Sequence, residues 1–178
     1  MTDCEHPYVS LARKAIRHYL ATGEILDPAA GPDDPPPAGV FVSLYEKGVP
    51  GESDGSLRGC VGTYRPAQRT LSREIAHAAV AAAASDPRFP PLLSGEVDGL
   101  DVTVYVLGEI EPVEGLDDLD PSRYGVIVEG PGGRTGLLLP AIPGISTAAR
   151  QVEIARRKAS FSPDDPVQLY RFDAAIII

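Results

Sequence analysis

Two stretches decide the fold: Val40-Phe41-Val42-Ser43-Leu44-Tyr45-Glu46 and Leu57-Arg58-Gly59-Cys60-Val61-Gly62-Thr63. They are extended segments in succession with no helix between them. In the first, Val40, Val42 and Leu44 alternate with Phe41, Ser43 and Tyr45. Both faces are largely apolar, which predicts an internal strand. A polar loop over residues 47–56 leads into the second segment, expected to be a strand paired with the first.

Outward from this pair, residues 8–20 predict a helix. Leu11, Ala12, Ala15, Ile16, Tyr19 and Leu20 recur at spacings of three and four, with Pro7 in the first turn and Gly23 as the stop. The Pro- and Asp-rich residues 27–37 are a loop. Residues 71–84 predict a second helix whose alanines permit close approach of another element, and Pro87 lies just beyond its end. Residues 101–107 read as a strand with Val102, Val104 and Val106 on one face. Residues 124–129 and 136–139 bracket Gly130-Pro131-Gly132-Gly133 as a hairpin. Ser146 is expected to cap a helix running to 159, and residues 167–176 to make one last strand. Helices and strands do not alternate one for one, so the expected class is α+β, with a mixed, largely antiparallel sheet packed by helices. A smaller lobe built from the hairpin and its following helix is compatible with the pattern. The working assignment is a single domain over residues 1–178.

Composition narrows the function. A chain of 178 residues buries enough surface to fold without disulfide or metal. Its net charge of −9 opposes binding to nucleic acid and to anionic lipid. No leader pattern follows Met1, no apolar run reaches the roughly eighteen residues of a membrane span, and two cysteines make no disulfide framework. The expected location is the cytoplasm.

Most motif-like runs have ordinary readings. Gly51-Glu52-Ser53-Asp54-Gly55 has the spelling of a hydrolase nucleophile elbow, but it precedes a strand, and the one later histidine, His77, follows too soon to leave room for the acid. The glycines at 130, 132, 133 and 136 fit neither phosphate-binding pattern. Cys4 and His6 are too few for a zinc site, and the carboxylates over residues 109–120 read as a solvated loop, so no metal and no cofactor are assigned. Arg150, Arg156, Arg157 and Lys158 make the last helix basic. The helix dipole favours this without a ligand, and an anionic ligand or partner is the alternative.

The segment richest in chemistry is Arg58-Gly59-Cys60-Val61-Gly62. Regular strand alternation puts Arg58 and Cys60 on one side, about 6 to 7 Å apart. A guanidinium there would favour thiolate. Gly59 and Gly62 would let a ligand or another backbone approach the sulfur. The competing reading is a buried structural cysteine. In Asp86-Pro87-Arg88-Phe89-Pro90, Asp86 and Arg88 either orient a ligand at a rigid turn or form a structural corner.

These two segments, extended to Leu57-Arg58-Gly59-Cys60-Val61-Gly62 and Asp86-Pro87-Arg88-Phe89-Pro90-Pro91, closely resemble the AMMECR domain family. That family is named after the chromosomal region of Alport syndrome, mental retardation, midface hypoplasia and elliptocytosis; its prokaryotic members are called AmmeMemoRadiSam system protein A. His6-Pro7, Gly39-Val40-Phe41-Val42-Ser43-Leu44, Tyr124-Gly125-Val126 and Leu138-Leu139-Pro140 carry the resemblance along essentially the whole chain. Val61 stands where isoleucine is more usual. The resemblance implies a larger and a smaller lobe around a cleft, and partnership with a Memo-like protein and a radical S-adenosylmethionine enzyme. It implies no defined activity.

Three functions remain open on the sequence. One is an accessory or substrate-presenting component of an intracellular modification pathway. Another is an enzyme with Cys60 as nucleophile, Arg58 as activator and His77 as base. The third is a protein-interaction module. The candidate catalytic residues are Cys60 and Arg58, and the candidate binding residues are Gly59, Gly62, Asp86 and Arg88. No oligomeric state is assigned.

Overall fold

The computed structural model describes residues 5–29, 34–47 and 57–178. Cys4, the Gly51 to Gly55 pattern and part of the Pro-rich loop lie outside the described residues. In chain order the elements are α1 (Pro7–Thr22), β1 (Val40–Glu46), β2 (Leu57–Thr63), α2 (Leu71–Ala84), β3 (Leu100–Leu107), β4 (Glu111–Val113), β5 (Gly125–Glu129), β6 (Thr135–Leu138), α3 (Ala148–Lys158), β7 (Gln168–Phe172) and β8 (Ala174–Ile177). They divide into two compact units, Met1–Leu107 with Ala175–Ile178, and Gly108–Ala174. No helix among the described residues is long and apolar enough to cross a membrane.

The first unit is built on a sheet of order β2-β1-β3-β8. β1 is internal and antiparallel to both β2 and β3. Val40, Val42 and Leu44 are fully buried in one core with Val102 and Val104 of β3, Ala12 and Ile16 of α1, and Ile75 and Ala79 of α2. This is the face the alternation marks as apolar. The opposite face carries Phe41, Ser43 and Tyr45.

Both helices have clear ends. Gly23 closes α1 in the left-handed conformation, φ 77°, where its N–H donates to the Tyr19 carbonyl at 2.7 Å. The Thr70 hydroxyl caps α2 by accepting from the Arg73 N–H. The buried Glu74 carboxylate accepts from the N–H groups of Ala67 and Gln68 and from the Thr63 hydroxyl, tying the preceding loop to β2 and to the helix. The small side chains of α2 let it lie directly on β2: a Cβ on Gly59 would collide with the Ala82 carbonyl oxygen.

The second unit has its own sheet, of order β4-β7-β5-β6, antiparallel in every pairing. α3 packs on it through Val152 and Ala155 against Val126, Val128 and Leu138. A Cβ on Gly136 of β6 would collide with the Ala155 carbonyl oxygen.

The α+β class stands, with three helices among the described residues and two sheets where one was expected. The difference arises at Asp173. The segment 167–176, expected to be one strand, is two, and β7 and β8 belong to different sheets. The break is fixed where the Asp173 carbonyl accepts from the Gly108 N–H at 3.0 Å, at a place where Gly108 has no room for a Cβ beside the Asp173 carboxylate. Part of the supposed acidic loop is the strand β4, whose three residues are too few to show alternation. Thr147, one residue beyond Ser146, caps α3 by accepting from the Arg150 N–H at 3.3 Å.

Candidate functional site

β2 is an edge strand, so one row of its backbone groups has no strand beside it. At Cys60 the corner after α2 supplies the missing partners. The Cys60 N–H donates to Asp86 Oδ2 at 2.8 Å, and Arg88 Nη2 approaches the Cys60 carbonyl at 3.5 Å. Arg88 also grips Asp86 twice, Nε to Oδ1 at 3.0 Å and Nη2 to Oδ2 at 2.8 Å. The carboxylate stands where a neighbouring strand would place a carbonyl, and the guanidinium where it would place an N–H. Asp86 is buried. The Arg88 hydrogen bond, working against desolvation and aided by the Cys60 N–H, brings its carboxyl down to about 2.

Arg58 takes another course. In the β1–β2 register Leu44 faces Gly59 and Tyr45 faces Leu57, which leaves Arg58 as the extra residue of a bulge. A bulge re-aims the side chain it carries, so the regular alternation expected from Arg58 to Cys60 is interrupted. The Arg58 guanidinium donates to both Glu96 oxygens at 3.1 and 3.3 Å and to the Pro90 carbonyl at 2.9 Å. Glu96 also accepts from the Leu93 N–H at 2.7 Å. That bond first, with Arg58 adding to it against desolvation, holds the Glu96 carboxyl below its ordinary range. The nearly buried cation thus fastens residues 90–96 to β2.

Cys60 is half-buried and lies opposite Ser43 in the register. The Ser43 hydroxyl donates to its sulfur at 3.1 Å. Tyr105 of β3 joins the cluster: burial first, and then the neighbouring Tyr45 hydroxyl and the Cys60 sulfur, push its phenol above the ordinary range, while a hydrogen bond with Ser43 acts the other way. Cys60, Ser43, Tyr45 and Tyr105 therefore meet on the face turned away from the helices. Sequence reading alone misses Ser43, Tyr45, Tyr105 and Glu96. The first three become visible only once the strand register is known.

The two glycines admit the protein's own backbone. Gly59 takes the Ala82 carbonyl of α2, and Gly62 lies against the Val40 carbonyl and Phe41 of β1. His77 belongs to α2, the helix that packs on the Gly59 side of the sheet, so the fold puts it across the sheet from the Cys60 sulfur. His6 accepts from the Tyr8 N–H at the start of α1. Among the described residues no group of three or more His, Cys, Asp or Glu side chains could hold a metal ion.

The AMMECR1 family model matches residues 9–177. A Thermotoga maritima protein is 44% identical over 176 residues, covering 94% of this chain and 95% of the relative. A Clostridium acetobutylicum protein is 38% identical over 172 residues, covering 93% of this chain; the match spans 34% of that longer relative. The crystal structure of the uncharacterised protein PH0010 from Pyrococcus horikoshii superposes with a TM-score of 0.85 at 36% identity, covering 95% of this chain and 88% of that one.

Proposed function

The chain belongs to the AMMECR1 family, and from that premise we propose that it is an accessory, substrate-presenting component of an intracellular modification pathway, working with a Memo-like protein and a radical S-adenosylmethionine enzyme. One observation carries this reading: the charged groups around Cys60 are engaged in holding the protein's own backbone. Asp86 and Arg88 complete the edge of β2, and Arg58 anchors residues 90–96. Such a frame displays a segment in a fixed conformation, which suits presentation to another protein. The test is co-expression with the radical enzyme and the Memo-like protein of the same genome. The expected result is co-purification and a change in the enzyme's products when this chain is omitted. The absence of both a complex and a product change would overturn the reading.

A second reading, a Cys60-dependent enzyme, is favoured by the half-buried sulfur with a hydroxyl directed at it. Here the Ser43 hydroxyl donates to the sulfur, and a nucleophile needs a base or a lowered pKa. Alkylation of Cys60 followed against pH separates the two. A midpoint well below the free-thiol value of about 8.5 supports catalysis, and an ordinary midpoint supports presentation.

A further inference from the structure

The four basic residues of α3 are not equivalent. Arg150 is paired with Glu153 at 2.8 Å. Arg156 donates through Nη2 to the carbonyls of Ser162, Pro163 and Asp165 at 2.7, 2.9 and 2.7 Å. Lys158 donates to the Leu137 carbonyl at 3.2 Å. Arg157 is exposed, and its guanidinium makes no hydrogen bond or ion pair among the described residues, its charge acting on Glu153 through space. Three of the four are explained by local structure, and Arg157 is not.

Arg157 stands on an open cavity of about 500 Å³, within the size range of small-molecule sites. Val152 and Phe161, nearly buried, line it together with Leu116 and Pro163. Leu116 is 43% exposed, and among the described residues of the second unit it is the one large aliphatic side chain left so open. The walls are preformed. The Phe161 ring lies between the Arg134 guanidinium, 4.4 Å from its centre, and Gly130, where a Cβ would come within 2.5 Å of it. Arg156 pins the chain that follows Phe161.

We infer that this cavity binds an amphipathic monocarboxylate, its hydrocarbon chain on Leu116, Val152 and Phe161 and its carboxylate on Arg157. The apolar lining selects against a bare inorganic anion, which would bury nothing there. The cation selects against a neutral or cationic amphiphile. The negative charge of the whole chain, −9, disfavours a polyanion, while Arg150 already offsets the carboxylate of Glu153 at the rim. A single negative charge on an apolar tail satisfies all three conditions.

The test is titration of the full chain with decanoate, decanol and decyltrimethylammonium, each below its micelle concentration, followed by methyl and aromatic NMR. Decanoate should give saturable shifts at Leu116, Val152 and Phe161 and bind about tenfold more tightly than the other two, as one charge-assisted contact is worth. Arg157→Ala should cost decanoate about tenfold and leave decanol unchanged. Leu116→Asp, at an exposed position, should abolish both while preserving the spectrum. Equal binding of the three amphiphiles, unaltered decanoate affinity in Arg157→Ala, shifts located elsewhere, or no saturable binding would each overturn the assignment. All the lining residues lie between 116 and 163, and none of them belongs to the Cys60 site, so the outcome is independent of the role proposed above.

Discussion

In the first unit α2 rests on β2 where Gly59 has no room for a Cβ beneath the Ala82 carbonyl. In the second, α3 stands in the same relation to Gly136 beneath the Ala155 carbonyl. Each unit solves one packing problem in one way: an alanine of the helix and a glycine of the strand let two backbones touch. They differ in what surrounds the contact. The first unit places Asp86, Arg88, Arg58 and Glu96 around its edge strand, whereas the second flanks its helix with an apolar hollow and Arg157, whose guanidinium has no hydrogen bond or ion pair among the described residues. The glycine of the Arg-Gly-Cys segment is thus accounted for by packing, as Gly136 is, and chemistry peculiar to the first unit has to be sought in the groups around it.

The largest expected effect tests the shared feature. Gly59→Val and Gly136→Val should each destabilise the protein by about 3 kcal/mol through overpacking against backbone, read as a fall in the denaturation midpoint. Tolerance at Gly59 with collapse at Gly136 would break the parallel. Next, Asp86→Asn should cost about 2 kcal/mol at neutral pH, because a charge-assisted acceptor is lost from a buried position. The sign with pH follows from the depressed carboxyl. Its contribution is complete above the ordinary carboxyl value of 3.8 and disappears as pH falls toward about 2. Wild type and variant should therefore converge in acid, a pattern that urea unfolding at stepped pH reveals.

Arg58→Met should cost a further 1 to 2 kcal/mol or so, since Glu96 keeps the Leu93 N–H and its carboxylate is partly solvated. If Arg58 serves only to anchor residues 90–96, the pH midpoint of Cys60 alkylation should not move; an upward shift would restore Arg58 as an activator of the thiol. The smallest effect is expected from Ser43→Ala, about 1 kcal/mol or less in stability, with somewhat slower alkylation near neutral pH once the hydroxyl no longer favours the thiolate. An upward shift of the alkylation midpoint by more than about one pH unit would make Ser43 part of a reactive centre.

Much of the first unit was legible in the sequence. Residues 40–46, 57–63 and 71–84 carry strong periodicity and are bounded by polar or Pro-rich segments, and β1, β2 and α2 occupy those spans. The site was less legible, for identifiable reasons. Asp86 meets Cys60 across 26 positions and Glu96 meets Arg58 across 38, pairings that only the fold creates. The bulge at Arg58 depends on register, which two adjacent apolar strands do not specify locally. In the second unit, the division of residues 167–176 between two sheets was hidden because both halves are equally strand-like, and only Asp173 separates them.

The carboxylate that completes the border of β2 also governs how the folded protein behaves toward its own copies. While charged, it occupies the Cys60 N–H, one of the edge groups an incoming peptide would have to use on this side of the sheet. Protonation near pH 2 would weaken that guard, and strongly acidic solutions should favour chain-to-chain β-stacking and turbidity before the helices are lost.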